Sequence, residues 1–442
     1  MRVAQYVVRD NEGHPAGVAK LHLREEPDGR GILVINANKV LYLNKTAADH
    51  VRLILEGVGT EEAVKALAKR YRARKEEITK YHSQILTTID VLIKSAEVDP
   101  FMYLGVEKTT PFGEDLTAPL RMDLALTYRC QNNCLHCYAK GPHETRELTT
   151  EQWRLVLTKL FEAQVPAVSF TGGEPTLRED LVELVAATQS IGLVSGLITN
   201  GRRLSDKGYA ERLYRAGLDF VQITLESNHP KVHEEMTRTP GSWKETVEGI
   251  RNCLDLGLYV TTNTTLSPYN ADHALELVHF LKERGVVNFA MNALIYSGRG
   301  ADVEKDFALP TEKLRRVLDE VKHEAFLLGM NFNWYSPTRY CELNPVRMGL
   351  GAKSCSACRT NMAVEPDGTV LPCQSWFRSV GNILADPWEK IWNNELCVHI
   401  RQRGWLELEE KCRECEWRRV CGAACPLEAE KKRILHTECS VT

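Results

Sequence analysis

Three cysteines in one short loop are the residues of this chain best suited to chemistry. Cys130, Cys134 and Cys137 lie in the segment LALTYRCQNNCLHCY and are separated by three and two residues. A four-iron cluster takes one thiolate for each iron, so three thiolates leave one iron without a protein ligand. A zinc site that also uses His136 is the alternative, but neighbouring His136 and Cys137 could hardly both reach one tetrahedral ion. An open iron predicts catalysis rather than support of the fold.

The elements that must position this loop are six apolar stretches of strand length that alternate with helical segments. We predict strands at 122–127, 167–171, 193–199, 219–225, 258–265 and 288–295. One intervening helix should span Thr149–Gln164, with Thr149 and Gln152 forming a capping box. A last helix should follow Pro310. This alternation predicts an α/β fold in which a parallel sheet forms a partial barrel. The functional sites of such a barrel should lie at the C-terminal ends of its strands.

Further polar motifs follow three of these predicted strands. They are Thr171-Gly172-Gly173-Glu174-Pro175, Thr199-Asn200-Gly201 and Thr224-Leu225-Glu226-Ser227. Two adjacent glycines let the backbone approach a ligand closely, and the carboxylate of Glu174 suits an ammonium group. The order of the motifs at successive strand ends predicts one binding site beside the cysteine loop.

These motifs resemble the radical S-adenosylmethionine (SAM) superfamily over about residues 120–330. The cysteine spacing is that family's signature, and His136 is a usual ring at its position. The resemblance implies a partial (β/α)6 barrel in which Cys130, Cys134 and Cys137 bind three irons and SAM binds the fourth. It implies that one electron from the cluster cleaves SAM to a 5′-deoxyadenosyl radical, which removes a hydrogen atom from a substrate C–H.

The same resemblance implies a set of residues in contact with SAM. Glu226 stands where the family more often has Asp. No side chain can be assigned as a catalytic residue beyond the cluster. The implied contacts are His136 and Tyr138 beside the adenine, Gly172, Gly173 and Glu174 at the amino group with Pro175 in the same turn, and Asn200, Glu226 and Asn263 near the ribose and carboxylate.

A second group of cysteines lies beyond residue 337. The spacing from Cys358 through Gly368 to Cys373, followed by C-x2-C-x5-C-x3-C and a last cysteine, resembles the SPASM extension of radical SAM enzymes. That extension carries two auxiliary 4Fe-4S clusters, which would bring the total to three. The implied ligands are Cys355, Cys358, Cys373 and Cys425 for the first cluster and Cys412, Cys415, Cys421 and Cys439 for the second.

Other assignments remain open in this region. Cys341 could replace Cys355, which only two residues separate from Cys358, and zinc could occupy the C-x2-C pairs. Cys253 and Cys397 fall in helical segments and are expected to be buried apolar residues. Clusters with four protein ligands offer no iron to a substrate, so they favour electron transfer and a net two-electron oxidation.

The first hundred residues contain no cysteine and have a different pattern. Strands at 18–23 and 31–43, the latter broken at 36–38, precede a helix capped by Thr60 and another near 76–93. This α+β pattern resembles the PqqD-like domain, a winged helix that recognises leader peptides by adding a strand to its sheet. The residues that carry the resemblance are Val40–Asn44, Ala47, Leu55–Gly57, Thr60–Ala63 and Leu67–Tyr71.

A winged helix that serves only docking or dimerisation is the alternative for this domain. The basic stretch at 69–75 is interpreted as a solvated helix face, because Glu76 and Glu77 follow it directly. We therefore divide the chain into residues 1–98 (peptide recognition), 99–119 (linker), 120–336 (radical SAM core) and 337–442 (SPASM region).

Composition limits the remaining possibilities. The net charge is −3 with an isoelectric point near 6.5, which does not indicate nucleic-acid or membrane binding. No apolar run reaches 18 residues and the N-terminus lacks a signal-peptide pattern, so we expect a cytoplasmic protein. Fourteen cysteines, mostly clustered, point to metal rather than to disulfides in that compartment.

Three functions are compatible with these features. The first is a maturase that forms thioether or carbon–carbon crosslinks in a precursor peptide or small protein and receives electrons from a ferredoxin- or flavodoxin-type donor. The second is a maturase for a protein or cofactor of a redox enzyme, of haem-like or tungsten-pterin type. The third is a non-catalytic electron carrier, against which the predicted SAM contacts argue.

Overall fold

The computed structural model of the chain describes residues 1–9, 15–36, 39–94, 116–139, 146–403, 410–421 and 424–428. Cys439 and most of the predicted linker lie outside these residues. No helix in the described part of the chain combines the length and the apolar character needed to cross a bilayer.

In its described residues, the N-terminal domain is a four-stranded antiparallel sheet followed by three helices. β1, which the sequence analysis did not predict, pairs with β2. Gly59 caps α2 and Thr60 is its first residue, so the predicted capping role of Thr60 was wrong. The elements are β1 Arg2–Arg9, β2 Pro15–Glu25, β3 Gly31–Ile35, β4 Lys39–Leu43, α1 Lys45–Leu55, α2 Thr60–Tyr71 and α3 Lys75–Lys94.

The two faces of this sheet have different partners because side chains alternate along each strand. Leu21 and Leu23 of β2 belong to an apolar cluster that includes Leu92 of α3. The alternate residues Lys20 and His22 face the barrel: Lys20 Nζ donates to Leu193 O at 3.0 Å and to Asp219 Oδ2 at 2.8 Å. Both acceptors lie just before barrel strands, so the domain is docked at the N-terminal ends of those strands.

The predicted linker ends in a packed segment. Leu116 and Ala118 are buried, and the indole N–H groups of Trp392 and Trp388 donate to the carbonyls of Leu116 and Thr117, both at 3.0 Å. Residues 116–118 therefore belong to the folded body.

The core contains the predicted α/β units. All six predicted strands are present and run parallel in consecutive order, which confirms the fold class. A seventh strand, β11, was missed; it pairs in parallel with β10. The strands are β5 Arg121–Thr127, β6 Ala167–Gly172, β7 Val194–Thr199, β8 Phe220–Thr224, β9 Tyr259–Thr265, β10 Asn288–Asn292 and β11 Asn331–Trp334.

Helices connect these strands. The capping box of Thr149 and Gln152 is present at the start of α4, as predicted. The helix after Pro310 buries Val317, Leu318 and Val321. The helices are α4 Thr150–Glu162, α5 Leu181–Ile191, α6 Lys207–Arg215, α7 Pro230–Thr237, α8 Ser242–Asp255, α9 Ala274–Glu283, α10 Arg299–Asp302, α11 Glu304–Phe307 and α12 Thr311–Leu327.

The C-terminal region extends the same sheet, whereas the sequence indicated only an irregular segment. β12 runs parallel to β5, with Asn361 opposite Arg121, and two antiparallel strands follow it. The described elements are β12 Asn361–Val364, β13 Thr369–Leu371, β14 Gly381–Asn382, α13 Trp388–Trp392, α14 Glu395–Arg401 and α15 Glu410–Arg413. Backbone hydrogen bonds therefore join this region to the core.

Acidification should weaken the docking of the N-terminal domain. His22 Nε2 lies 2.7 Å from Gly192 O, and burial lowers the pKa of His22 from 6.5 to about 4. Between these values the unfolded chain binds a proton that the folded chain excludes, so stability falls as the pH drops below 6.5. At pH 5 the loss is about 2 kcal/mol.

This prediction can be checked with urea unfolding midpoints at pH 7 and pH 5. His22→Gln should lose less stability than the unmodified protein on acidification. His279→Gln, a change at a half-exposed histidine, should keep the original pH dependence. Equal pH dependence in the His22 variant and the unmodified protein would exclude the proposed contribution of His22.

Candidate active site

The cysteine loop follows β5 and is held from both sides. The backbone N–H groups of Asn133 and Leu135 donate to Thr237 O at 3.0 Å and Met236 O at 2.8 Å, at the C-terminal end of α7. The N–H of Arg299 donates to Cys137 O at 3.0 Å. The loop conformation is therefore fixed by neighbouring elements and does not depend on its own sequence alone.

A cleft of about 180 Å³ lies against this loop. It brings together the three cysteines of the loop and most of the residues that the sequence predicts as SAM contacts. Glu174 and Pro175 are the exceptions, because both are buried and neither lines the cleft. The predicted residues that line the cleft are Cys130, Cys134, Cys137, His136, Tyr138, Gly172, Gly173, Asn200, Glu226 and Asn263.

The two glycines at the end of β6 are required by the backbone that leads into the cysteine loop. Gly172 has a φ of +125°, and a Cβ there would lie 2.2 Å from Thr127 O. A Cβ on Gly173 would lie 2.5 Å from two carbonyl oxygens, those of Tyr128 and Arg129. The glycines therefore let the turn pack directly on the backbone that leads into the cysteine loop.

The carboxylate of Glu174 accepts its hydrogen bonds from other residues of the protein. It accepts hydrogen bonds from Thr199 Oγ1 at 2.7 Å, from the N–H of Asn200 at 2.8 Å and from the N–H and hydroxyl of Thr176. Four donors match the acceptor capacity of a carboxylate. Glu174 thus ties the β6 and β7 ends together, and we expect backbone groups of the turn to face the cleft in its place.

Glu226 links the cleft to the strand beyond it. Its side chain is fully buried, and Oε2 accepts from the N–H of Thr265 at 2.9 Å. Oε1 lies 3.1 Å from His136 Nε2, a close approach without the alignment of a good hydrogen bond. The His136 ring stacks on Phe307 with centroids 4.8 Å apart. Stacking on Phe307 therefore orients the His136 ring, with Glu226 Oε1 close beside it.

The C-terminal region contributes to the same cleft, and the sequence did not predict this contribution. The hydroxyl of Tyr138 donates to Gln374 Oε1 at 3.1 Å, and Gln374 lines the cleft directly after Cys373. Only the adjacency of Gln374 to a predicted cluster ligand could have indicated this contact. The two cysteine-bearing regions therefore meet at the Tyr138 side chain.

Polar atoms in the cleft wall fit a ligand rich in hydrogen-bond donors. Within the described residues, the buried oxygens Asn263 Oδ1 and Asn292 Oδ1 have no hydrogen-bond partner. Buried acceptors without partners are costly, and a ligand or water that donates to them removes that cost. Ribose hydroxyls and an ammonium group are such donors, so the cleft fits SAM.

The cysteine loop fits an iron–sulfur cluster better than zinc. Sulfurs bound to one tetrahedral zinc at 2.3 Å lie roughly 3.8 Å apart. In the described part of the chain, no three cysteine sulfurs all lie within 4.8 Å of one another. Burial raises the pKa of Cys130 to about 11 and that of Cys134 well above its usual range. These thiols would stay protonated at neutral pH unless a metal replaced the protons.

The cysteines of the C-terminal region form a separate group. Burial raises the pKa of Cys355, and the neighbouring thiols of Cys425 and Cys373 add to that effect. Cys358 is fully buried, and its thiol hydrogen bonds with Cys397 on α14. Cys397 was expected to be a buried apolar residue; it is buried, but it contacts a predicted ligand. Cys253 is buried in α8, and Cys341 is exposed.

Comparison with known proteins identifies the class. Residues 124–281 match the radical SAM superfamily, and residues 355–416 match the iron–sulfur cluster-binding SPASM domain. The chain therefore contains a radical SAM domain and a SPASM domain. These two domains indicate an enzyme, and they imply SAM and iron–sulfur clusters as its cofactors.

Relatives cover most of the chain. It is 28% identical over 333 residues to Fe-coproporphyrin III synthase of Methanosarcina barkeri, covering 69% of this chain and 82% of that protein. It is 28% identical over 342 residues to PqqA peptide cyclase of Bradyrhizobium diazoefficiens, covering 73% and 86%. SuiB of Streptococcus suis bound to S-adenosylmethionine is similar in fold, with a TM-score of 0.66, 17% identity and coverage of 93% and 95%.

Proposed function

We propose that this enzyme oxidatively crosslinks a peptide that its N-terminal domain recognises through a leader segment. The observation that carries this proposal is a chamber of about 590 Å³ between the N-terminal domain and the barrel interior. The chamber offers an extended chain a route from the domain to the candidate active site.

The walls of this chamber come from both domains. Lys39 and Val40 of β4 and Leu92 at the end of α3 form one side, and inward residues of the barrel strands form the other. Gln222 of β8 lines both this chamber and the cleft beside the cysteine loop. A substrate in the chamber would therefore reach the floor of the cleft within the barrel.

Strand β4 is suited to bind such a chain. It is the last strand of its sheet in the described part of the molecule, so one edge is available for an added strand. A PqqD-like domain would use its edge in this way, with α3 beside the added strand. Buried contacts of Lys20 hold the sheet against the barrel, which keeps the distance from β4 to the cleft constant.

Two relatives support a peptide substrate. One is named PqqA peptide cyclase, and the other is SuiB, solved with its precursor peptide SuiA at 18% identity and a TM-score of 0.65. The N-terminal sheet with its helices is compatible with peptide recognition, which we propose for residues 1–98.

We assign the cysteines of the loop to a 4Fe-4S cluster that binds SAM, and the seven predicted contact residues that line the cleft to the SAM site. These cysteines would hold the cluster, whose chemistry when reduced would be one-electron cleavage of SAM to start hydrogen abstraction. The chain's own residues orient and enclose the reactants: Phe307 orients His136 by stacking, and Glu174 holds the β6 and β7 ends together. Buried strands around the cleft exclude water.

We assign the C-terminal cysteines to two auxiliary clusters with the ligand sets given above. The proximity of Cys355, Cys373 and Cys425 supports Cys355 over exposed Cys341 in the first set. Four thiolates per cluster suit electron transfer, which a crosslink requires because it removes two electrons and two protons from the substrate. A ferredoxin- or flavodoxin-type protein would be the external donor.

The decisive experiment is anaerobic incubation of the cluster-loaded enzyme with SAM, reductant and synthetic peptides from short reading frames beside its gene. A product lighter by two hydrogen atoms, found by mass spectrometry, would establish crosslinking. Formation of 5′-deoxyadenosine without modification of any such peptide would contradict the peptide assignment.

Val40→Lys tests the recognition step. A charge on β4 inside the chamber should weaken the enzyme's affinity for its substrate peptide at least tenfold. SAM cleavage in the absence of peptide should stay unchanged. Tyr81→Lys provides the control, because Tyr81 is exposed on α3 and does not line the chamber. Unchanged peptide affinity in the Val40 variant would exclude this route.

Modification of a tetrapyrrole is the second candidate. It is favoured by the relatives named Fe-coproporphyrin III synthase and AdoMet-dependent heme synthase. Incubation of the enzyme with Fe-coproporphyrin III, and separately with tetrapyrrole precursors of Fe-coproporphyrin III, tests this function. A SAM-dependent mass change of the tetrapyrrole, with all peptides unchanged, would favour this function over the first.

A further inference from the structure

A second group of metal-ligating side chains lies outside the cleft. His229 directly precedes α7, while His273 and Glu276 lie at the start of α9. His229 Nε2 is 2.6 Å from Glu276 Oε2, and His273 Nδ1 is 3.4 Å from Glu276 Oε1. One ligand atom from each of the three residues lies within 4.8 Å of the others, which holds for no other His, Cys, Asp or Glu trio in the described residues.

We propose that His229, His273 and Glu276 bind a divalent zinc ion. Two imidazole nitrogens and one carboxylate oxygen form a donor set that zinc accepts, with water as the fourth ligand. Donors about 2.0–2.1 Å from a tetrahedral zinc lie roughly 3.4 Å apart. The distances of 2.6 Å and 3.4 Å need only small side-chain movements to reach this geometry.

The backbone positions of the two histidines are already fixed. The N–H of His229 donates to Ser227 Oγ and that of His273 to Asn270 O, both at 3.0 Å. Buried Asn270 also donates to Glu226 O at 2.8 Å, which joins the two loops. A metal would therefore bind between preformed segments, with little loss of backbone entropy.

Local charges are compatible with a cation at this position. The exposed carboxylate of Glu276 lies between the two histidine rings, with one oxygen near each ring. The nearby Lys313 is paired with Asp272 at 2.8 Å, which reduces its repulsion of a metal. Exposed His–Glu pairs also occur without metals, so the third ligand is the distinguishing feature of this group.

A zinc ion here would act on the cysteine loop through α7. His229 lies at one end of this helix, and the carbonyls of Met236 and Thr237 at its other end accept from the cysteine loop. The metal would tie the start of α7 to α9 and so restrain the helix that supports the loop. This role is structural and does not depend on the identity of the substrate.

The test is titration of the cluster-loaded enzyme with zinc by calorimetry, with iron and sulfide measured before and after. We expect one zinc per chain beyond the clusters, with iron content unchanged. His273→Ala and Glu276→Gln should each weaken binding at least 100-fold. Zinc should raise the melting temperature of the unmodified enzyme but not of these variants.

His279→Ala is the matched control. His279 lies on the same helix and contacts Glu324 at 3.2 Å, but it belongs to no group of three ligands in the described residues. It should bind zinc like the unmodified enzyme. Absence of saturable binding, equal binding in all variants, or zinc uptake accompanied by loss of iron would each overturn the proposal.

Discussion

Replacing Cys134 with alanine should abolish SAM cleavage, with 5′-deoxyadenosine formation falling at least 1,000-fold. Cys134 lines the cleft together with Cys130 and Cys137. Two remaining thiolates cannot hold three irons, so the cluster that transfers the electron would not assemble. The measurement is chromatography of 5′-deoxyadenosine after anaerobic incubation with SAM and dithionite, alongside iron and sulfide content.

Cys421→Ala is the matched variant, because Cys421 is a cysteine of the C-terminal region that does not line the cleft. It should keep part of the SAM cleavage but yield no modified substrate. Loss of one predicted auxiliary cluster would interrupt later electron transfer and leave the first step intact. An equal loss of SAM cleavage in the two variants would contradict separate roles for the two cysteine regions.

Gly173→Ala should lower SAM cleavage at least 100-fold, although it adds only one carbon atom. The new Cβ would lie 2.5 Å from the carbonyl oxygens of Tyr128 and Arg129. These atoms are backbone and cannot rotate away, so the turn or the cysteine loop must move. A displacement of that size misplaces cluster ligands and the cleft wall together.

Gly59→Ala is the control for this change, because a Cβ at Gly59 meets nothing within 4 Å and its φ is not positive. It should leave cluster content and SAM cleavage unchanged. Iron content and the SAM dissociation constant should both change in the Gly173 variant. A Gly173 variant with normal values for both would show that the close packing of this turn is dispensable.

The sequence predicted the core well because its signals are local. Each parallel strand is a short apolar run, and each motif follows its strand directly, so the sheet order brought the motifs together as expected. β11 was missed because Asn331 and Asn333 alternate with aromatic residues in a four-residue strand. β12 was missed because its pairing with β5 spans more than 230 residues.

Side-chain direction was the part that sequence could not supply. Glu174 was expected at an ammonium group, yet its carboxylate is directed at the β7 end, since the hydroxyls and N–H groups there satisfy it on folding. The hydrogen bond between Cys358 and Cys397 and the contribution of Gln374 to the cleft also depend on tertiary packing. Spacing alone carries no information on such contacts.

The pairing of β5 with β12 has a consequence for how this enzyme can diversify. The cysteine loop follows β5 directly, and Cys358 and Cys373 flank the β12–β13 hairpin that is hydrogen bonded to it. The separation between the two cysteine regions is therefore set by the backbone hydrogen bonds between β5 and β12, and no flexible hinge lies between these two strands. Under the proposed function, mutations on β4 would change which peptide is captured while the distance between the two proposed cluster sites stays constant.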